Sequence, residues 1–210
     1  MMRKLGIGLL ILFLAFGCAK NNATHSFKDG NAQYQLKNYQ GAIQHFSRAI
    51  ELKNNYKEAF YFRALCYVQK QVLDSALMDF NEAINLDPNY KEAYFSRAFY
   101  VKDKLGDYKG SIDDYNHYIS LNEGNNAYAL NNRGFAKYKQ NDTQGALTDI
   151  ETSLQQDPQN AYAYKNLALV WISVDSLNDA CQNLHLALDH GYAQKYDDEV
   201  DQLIEEYCKN

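Results

Sequence analysis

The residues able to do chemistry in this chain are four cysteines, five histidines and a few adjacent acids. His25, His45, His117, His185 and His190 are the residues suited to proton transfer or metal ligation near neutral pH. They are scattered, and even His185 and His190 stand five apart, the wrong step for one helical face. Asp113 and Asp114 are neighbours in sequence and point in different directions on a helix, and Glu205-Glu206 reads as solvated surface. There is no G-x-S-x-G, H-E-x-x-H, phosphate loop or C-x-x-C. The pattern predicts no enzyme and calls for neither metal nor cofactor.

The bulk composition bounds what remains. Of 210 residues, 46% are apolar, enough for a substantial core, so the chain is not a disordered tail. A formal charge of −5 argues against nucleic acid as a partner, because that needs a basic face. Two prolines make a Pro-rich spacer or many-turned β-sandwich a poor fit, and four cysteines are too few for a disulfide-built scaffold. Eighteen tyrosines and ten phenylalanines mean that aromatic packing or aromatic contact matters.

The first segment reads as an address. Met1-Met2-Arg3-Lys4 is a short positive head, followed by an apolar run from Leu5 to Phe16 and then Gly17-Cys18. That run is too short to span a bilayer, which takes about 20 residues, and reads instead as a secretory signal over 1–17. The Gly17-Cys18 junction resembles the lipobox of bacterial lipoproteins, although Ala15 stands where Leu is usual and Phe16 is bulky for its place. The resemblance implies cleavage before Cys18, acylation of Cys18, and a short linker over 18–23. Loss of Arg3 and Lys4 then takes the charge from −5 to −7. It further implies a lipid-anchored protein of the bacterial cell envelope, with Ala19 after the cysteine favouring an outer membrane, facing the periplasm. The alternative is ordinary secretion, with Gly17-Cys18-Ala19 as a small-x-small cut and a soluble periplasmic or secreted product.

The rest of the chain repeats with a period near 34. Gly30, Ala64, Ala98, Gly134 and Ala168 form one column of small residues; Ala42, Ala76, Ser111, Ala146 and Ala180 form a second. Twelve positions separate the two columns in every unit except the third, where there are 13. A third column is bulky: Phe46, Phe80, Tyr115, Ile150 and Leu184. Both prolines, Pro88 and Pro158, occupy one place, just after the second apolar stretch, where proline stops a helix. Apolar residues such as Ala76, Phe80, Ala83 and Ile84 recur at steps of three and four, so each unit is two antiparallel helices.

These columns resemble the tetratricopeptide repeat. The resemblance implies an all-α solenoid, a right-handed superhelix of five helix-turn-helix units at about 24–56, 57–90, 91–126, 127–160 and 161–190. It implies that Phe60, Tyr67, Phe80, Tyr94 and Tyr115 are core residues. Arg63, Arg97 and Arg133 share a column of the first helix, and Asp79, Asp114 and Asp149 share one of the second. Both columns change together in the first and fifth units, which predicts intra-unit ion pairs that set helix docking.

A repeat stack ends in an unpaired apolar face, and Val200, Leu203, Ile204 and Tyr207 within 191–210 suit a C-terminal capping helix that covers it. If that helix runs back along the last repeat helix from a turn near Gly191, Cys181 and Cys208 meet and are placed to form a disulfide. Cys66 lies beside core residues and reads as a buried, inert thiol.

By resemblance, the ligand-facing wall is built from the first helix of each unit. It would hold Phe27, Asn31 and Tyr34 in the first unit and Glu58, Tyr61, Leu65 and Val68 in the second. The third would present Phe95, Phe99, Lys102 and Asp103, the fourth Tyr128, Asn131, Phe135 and Tyr138, and the fifth Tyr162, Lys165, Leu169 and Ile172. Rigid amphipathic rings suit a binding surface. Phe27 and Phe62 stand where the family's carboxylate clamp has Lys and Asn, so a reader of C-terminal carboxylates is not expected. The implied function is a membrane-anchored scaffold holding a peptide or protein segment in this groove. Similar small repeat lipoproteins serve β-barrel assembly and type IV pilus secretin assembly. The alternative is a receptor for glycan or cell-wall fragments, since aromatic grooves also stack on sugar rings. About six residues from Ala19 to Thr24 reach about 20 Å when extended, which predicts a membrane-proximal partner.

Overall fold

The computed structural model describes residues 22–208; the expected signal segment and Cys18 lie outside the described residues. The chain divides into two compact units, one ending at Asp87 and the other beginning at Pro88. Each is helical throughout, with no strand among the described residues.

The first unit is two helix pairs. Helix α1 (Ala23–Gln35) packs on α2 (Tyr39–Leu52), and α3 (Lys57–Gln69) on α4 (Leu73–Leu86), with α2 against α3. Asn22 and Asn38 start the first two helices, their side-chain oxygens accepting hydrogen bonds from the first-turn amides of His25 and Gly41. The small column works as a contact point: a Cβ on Gly30 would fall 2.6 Å from the Phe46 ring. Phe46 and Phe80 are fully buried, Phe46 beside Gly30 and Phe80 beside the Tyr61 ring. Burial of each such ring is worth about 1.5–3 kcal/mol.

The second unit opens with α5 (Lys91–Arg97), a π-helical turn (Ala98–Lys102) and the short α6 (Asp103–Leu105); α5 and the π turn pack on α7 (Tyr108–Leu121). Two regular pairs follow, α8 (Ala127–Lys139) with α9 (Thr143–Gln156) and α10 (Ala161–Ser173) with α11 (Leu177–Asp189). The turn inside each pair uses one left-handed residue, at Lys37, Gln71, Gly106, Asn141 and Asp175, the usual way to end a helix. Four of these lie seven positions after their small-column residue; Gly106 lies eight after Ala98. The π turn absorbs that extra residue, as π-bulges do.

The insertion re-aims the end of the helix. Lys102 Nζ sits 3.1 Å from Asp114 Oδ2, the same relation that Lys137 has to Asp149 at 2.8 Å. Asp103 Oδ2 accepts a 2.8 Å hydrogen bond from the Tyr115 hydroxyl. Both residues, expected on the ligand wall, are instead turned towards α7, because one added residue rotates a helix by about 100°.

The Arg and Asp columns meet as forked pairs. Arg63 donates to both oxygens of Asp79 at 2.7 Å, Arg97 to Asp114 at 2.8 and 2.6 Å, and Arg133 to Asp149 at 2.7 Å. The three carboxylates are buried. Burial pushes the Asp79 carboxyl above its ordinary range, although the Arg63 guanidinium acts in the opposite direction. The expected core residues Phe60 and Tyr67 differ from the others in being only half-buried; Phe60 lies under the Arg63 guanidinium, 5.5 Å away.

The expected single capping helix over 191–210 is two helices, α12 (Tyr192–Lys195) and α13 (Glu199–Tyr207). Gly191 adopts φ 82° at the start of α12, and the chain breaks again at Tyr196. Tyr192 and Val200 are buried with Ala161, Ala168, Leu184 and Ala187, so this segment covers the apolar face of the last pair. Cys181 and Cys208 are joined by a disulfide across 27 positions, a closed loop worth roughly 3–4 kcal/mol.

Replacing Asp149 with Ala leaves Arg133 and Lys137 partly buried without their carboxylate. Urea unfolding should show a loss of about 3 kcal/mol. Glu51→Ala, which breaks the exposed Arg48–Glu51 pair, should change stability by less than about 0.5 kcal/mol. Equal losses would show that the buried fork adds nothing to helix docking.

Candidate binding surface

The columns expected to face a ligand divide into rings consumed by packing and rings left open. In the first unit Phe27 packs against Phe46, Tyr56 and Phe62, with centroids 5.6, 4.9 and 5.7 Å away. Tyr34 meets Tyr39 and Phe62, and Tyr61 meets Phe62 and Phe80. Leu65 is half-buried, and the Asn31 side-chain oxygen is buried without a hydrogen bond. Phe27 is thus a packing residue of this unit, because Phe62 supplies a ring where a smaller residue would have left a gap.

In the second unit Phe95 and Phe99 stack at 6.0 Å, and Phe99 is exposed. Phe135 lies 6.0 Å from Tyr138, and Leu169 and Ile172 are half-buried. Asn131 is fully buried: its amide donates to Asn132 and its oxygen accepts from Asn166 at 3.0 Å. Lys165 is also buried. Its ammonium lies 4.5 Å above the Tyr162 ring, 5.8 Å from that of Phe135 and 3.2 Å from Glu199 Oε2. Asn131 and Lys165, expected to meet a ligand, therefore make internal contacts. A buried amide or ammonium needs a partner, and these find theirs within the protein.

Three residues outside the expected wall complete the surface. Tyr192, Tyr196 and Glu199 come from the C-terminal segment and gather around Tyr162. Tyr162 and Tyr192 are stacked at 6.2 Å, Tyr162 and Tyr196 lie 5.3 Å apart, and Tyr192 and Tyr196 4.8 Å. The Tyr192 hydroxyl donates to Glu199. Tyr128 and Tyr196 remain 63% and 51% exposed, the most open of these rings. The spacing held a signal: Tyr128, Tyr162 and Tyr196 are 34 apart, so the third tyrosine continues the repeat beyond its last hairpin.

The electrostatics follow from this crowding. Burial, and then the Glu199 carboxylate, push the Tyr162 and Tyr192 hydroxyls above the ordinary tyrosine value. Elsewhere, burial pushes the Cys66 thiol up to about 12, so it stays protonated and is a poor nucleophile. His117 stacks on Tyr94 and His190 on Tyr164, both as packing partners. Among the described residues no group of three or more His, Cys, Asp or Glu is placed to hold a metal. No helix among them is long and apolar enough to cross a membrane.

The model of the tetratricopeptide repeat matches residues 27–91. Residues 27–91 carry tetratricopeptide repeats, and the rest of the described chain has the same all-α helix-hairpin fold. The solved structures it is similar to share the all-α solenoid. YrrB, described as a TPR protein with an unusual peptide-binding site, is 20% identical, with 90% of this chain and 94% of that one covered at a TM-score of 0.76. PilW, described as a widely conserved type IV pilus biogenesis factor, is 18% identical over 89% of this chain and 84% of that one, with a TM-score of 0.77. MamA from Desulfovibrio magneticus RS-1 is 14% identical over 83% and 97%, at 0.76. A comparison with curated proteins finds no match.

The tyrosine cluster makes the repeat protein sensitive to alkali. A folded-state value raised above the ordinary 10.0 means that the native protein holds protons that the unfolded chain releases. This stability is complete below about pH 10 and is lost as pH rises through the raised values. Tyr192→Phe removes one such group and should flatten the alkaline fall in stability by up to about 1.4 kcal/mol per pH unit. Denaturant titrations of both proteins between neutral pH and the alkaline limit test this; parallel curves would refute it.

Proposed function

We propose that this chain is a lipid-anchored interaction scaffold of the bacterial cell envelope, with no chemistry of its own, that holds a peptide or protein segment on its first-helix faces. The observation that carries the reading is the exposed pair Tyr128 and Tyr196 flanking Tyr162. Rigid rings left in water two periods apart, on either side of the half-buried Tyr162, suit partner contact better than stability. His117 and His190 are stacked on tyrosines, and burial keeps the Cys66 thiol protonated, which suits structural roles for these three residues. YrrB has a peptide-binding site and PilW acts in pilus biogenesis, which supports a protein partner and an envelope assembly role by analogy of fold.

The anchor rests on the sequence from Met1 to Cys18. Its short distance from α1, which begins at Ala23, favours a partner close to the membrane, on the periplasmic face of the outer membrane.

Crosslinking in intact envelopes followed by mass spectrometry tests both parts. Wild type should sediment with membranes and crosslink to a protein through a photoreactive group at Tyr128. Cys18→Ala should move to the soluble periplasmic fraction and lose a membrane-bound partner. A wild-type protein that stays soluble refutes the anchor. Crosslinks only to glycan refute the protein partner and favour a cell-wall-fragment receptor.

A further inference from the structure

The tyrosine cluster carries a specific chemistry, and this inference deepens the scaffold reading above, on which it rests. The first turns of α8 and α10 and the loop between α12 and α13 bring Tyr128, Tyr162 and Tyr196 to one surface of the second unit. The loop also supplies exposed carboxylates at Asp197 and Asp198, immediately beside Tyr196. Asp197, Asp198 and Glu199 follow Tyr196 directly, so this side of the shelf carries negative charge. Asp197 acts electrostatically on both Tyr162 and Tyr192, and Tyr128 on Tyr196, which places these groups within reach of one another.

The protein already shows what such a surface holds. Lys165 places its ammonium 4.5 Å above the Tyr162 ring and 3.2 Å from Glu199, an aromatic face and a carboxylate gripping one cation. The negative face of the ring and the acid both attract the cation. Tyr196 and Tyr128 repeat those elements outward: exposed rings, with Asp197 and Asp198 in place of Glu199. An anionic ligand would be repelled by this rim, and the chain's net charge of −5 adds to that repulsion.

We propose that the shelf of Tyr128, Tyr162 and Tyr196, rimmed by Asp197 and Asp198, takes the lysine or arginine side chain of a basic segment in the protein partner. The disulfide between Cys181 and Cys208 contributes by holding the segment that carries Tyr196 and both acids against the last helix pair.

Fluorescence anisotropy of the full chain in detergent, with labelled peptides as probes, tests this. The probes are an arginine-rich peptide and length-matched glutamine-rich and glutamate-rich peptides. The arginine peptide should bind at least tenfold more tightly than either control and weaken as salt rises. Tyr196→Leu should weaken it about tenfold, and Tyr196→Phe should retain it. The pair Asp197→Asn/Asp198→Asn should weaken it at least fivefold. Asp74→Asn/Glu82→Gln in the first unit removes the same charge and should leave binding unchanged. Cys208→Ser should weaken binding in proportion to the loosening of the C-terminal segment, read by protease cleavage near Tyr196.

Equal binding of the three peptides overturns the proposal. So does an unchanged affinity in Tyr196→Leu, or an equal loss from the distant charge pair. A chito-oligosaccharide that binds wild type and is lost in Tyr196→Leu, without arginine-peptide binding, assigns the shelf to sugars and also overturns it. If envelope crosslinking through Tyr128 captures the same protein from wild type and Tyr196→Leu, the scaffold reading stands and only the basic-segment proposal fails.

Discussion

Close approach at the crossing of each helix pair is the constraint from which the rest follows. A residue with little or no side chain on the first helix faces a bulky one on the second: Gly30 against Phe46, Gly134 against Ile150. A Cβ added at either glycine would fall 2.6 Å from its neighbour, closer than packed atoms tolerate. With the backbones this near, the long side chains around the crossing have fixed reach. The Arg–Asp forks then become possible, with arginine on one helix and aspartate on its partner. Such a fork specifies register more than it adds stability, since both ions give up water to form it.

The third repeat shows how this constraint handles an extra residue. The crossing at Ala98 and the left-handed turn at Gly106 both keep their roles, so the surplus falls between them and forms a π turn. The result is chemical as well as geometric. Lys102 joins Arg97 on Asp114, and Asp103 is tied to Tyr115, so two charged residues leave the surface where the repeat period alone would put them. Of the wall residues expected in that repeat, Phe99 is the one left exposed.

At the other end of the second unit, the capping segment does more than hide apolar surface. By seating Tyr192 and Val200 it brings Tyr196 and Glu199 to Tyr162 and Lys165. Covering a repeat stack and extending its binding face are then the same act. Tyr196 stands 34 residues after Tyr162, as though the segment supplied the first turn of a sixth unit.

Much of this was legible in the sequence. The period, the small and bulky columns, the paired Arg and Asp columns and the position of the extra residue all depend on local spacing along a helix, which the chain order carries directly. The tertiary structure alone decided which wall residues stay open. Phe27, Asn131 and Lys165 belong to the same expected first-helix wall as the exposed Phe99 and Tyr128, yet Phe62, Asn166 and Glu199 engage them from elsewhere in the chain. The two-helix form of the C-terminal segment was likewise settled by packing on α10 and α11. Periodicity specifies the face a side chain points to, whereas exposure depends on every neighbour that reaches the same space, and those neighbours are set by contacts distant in sequence.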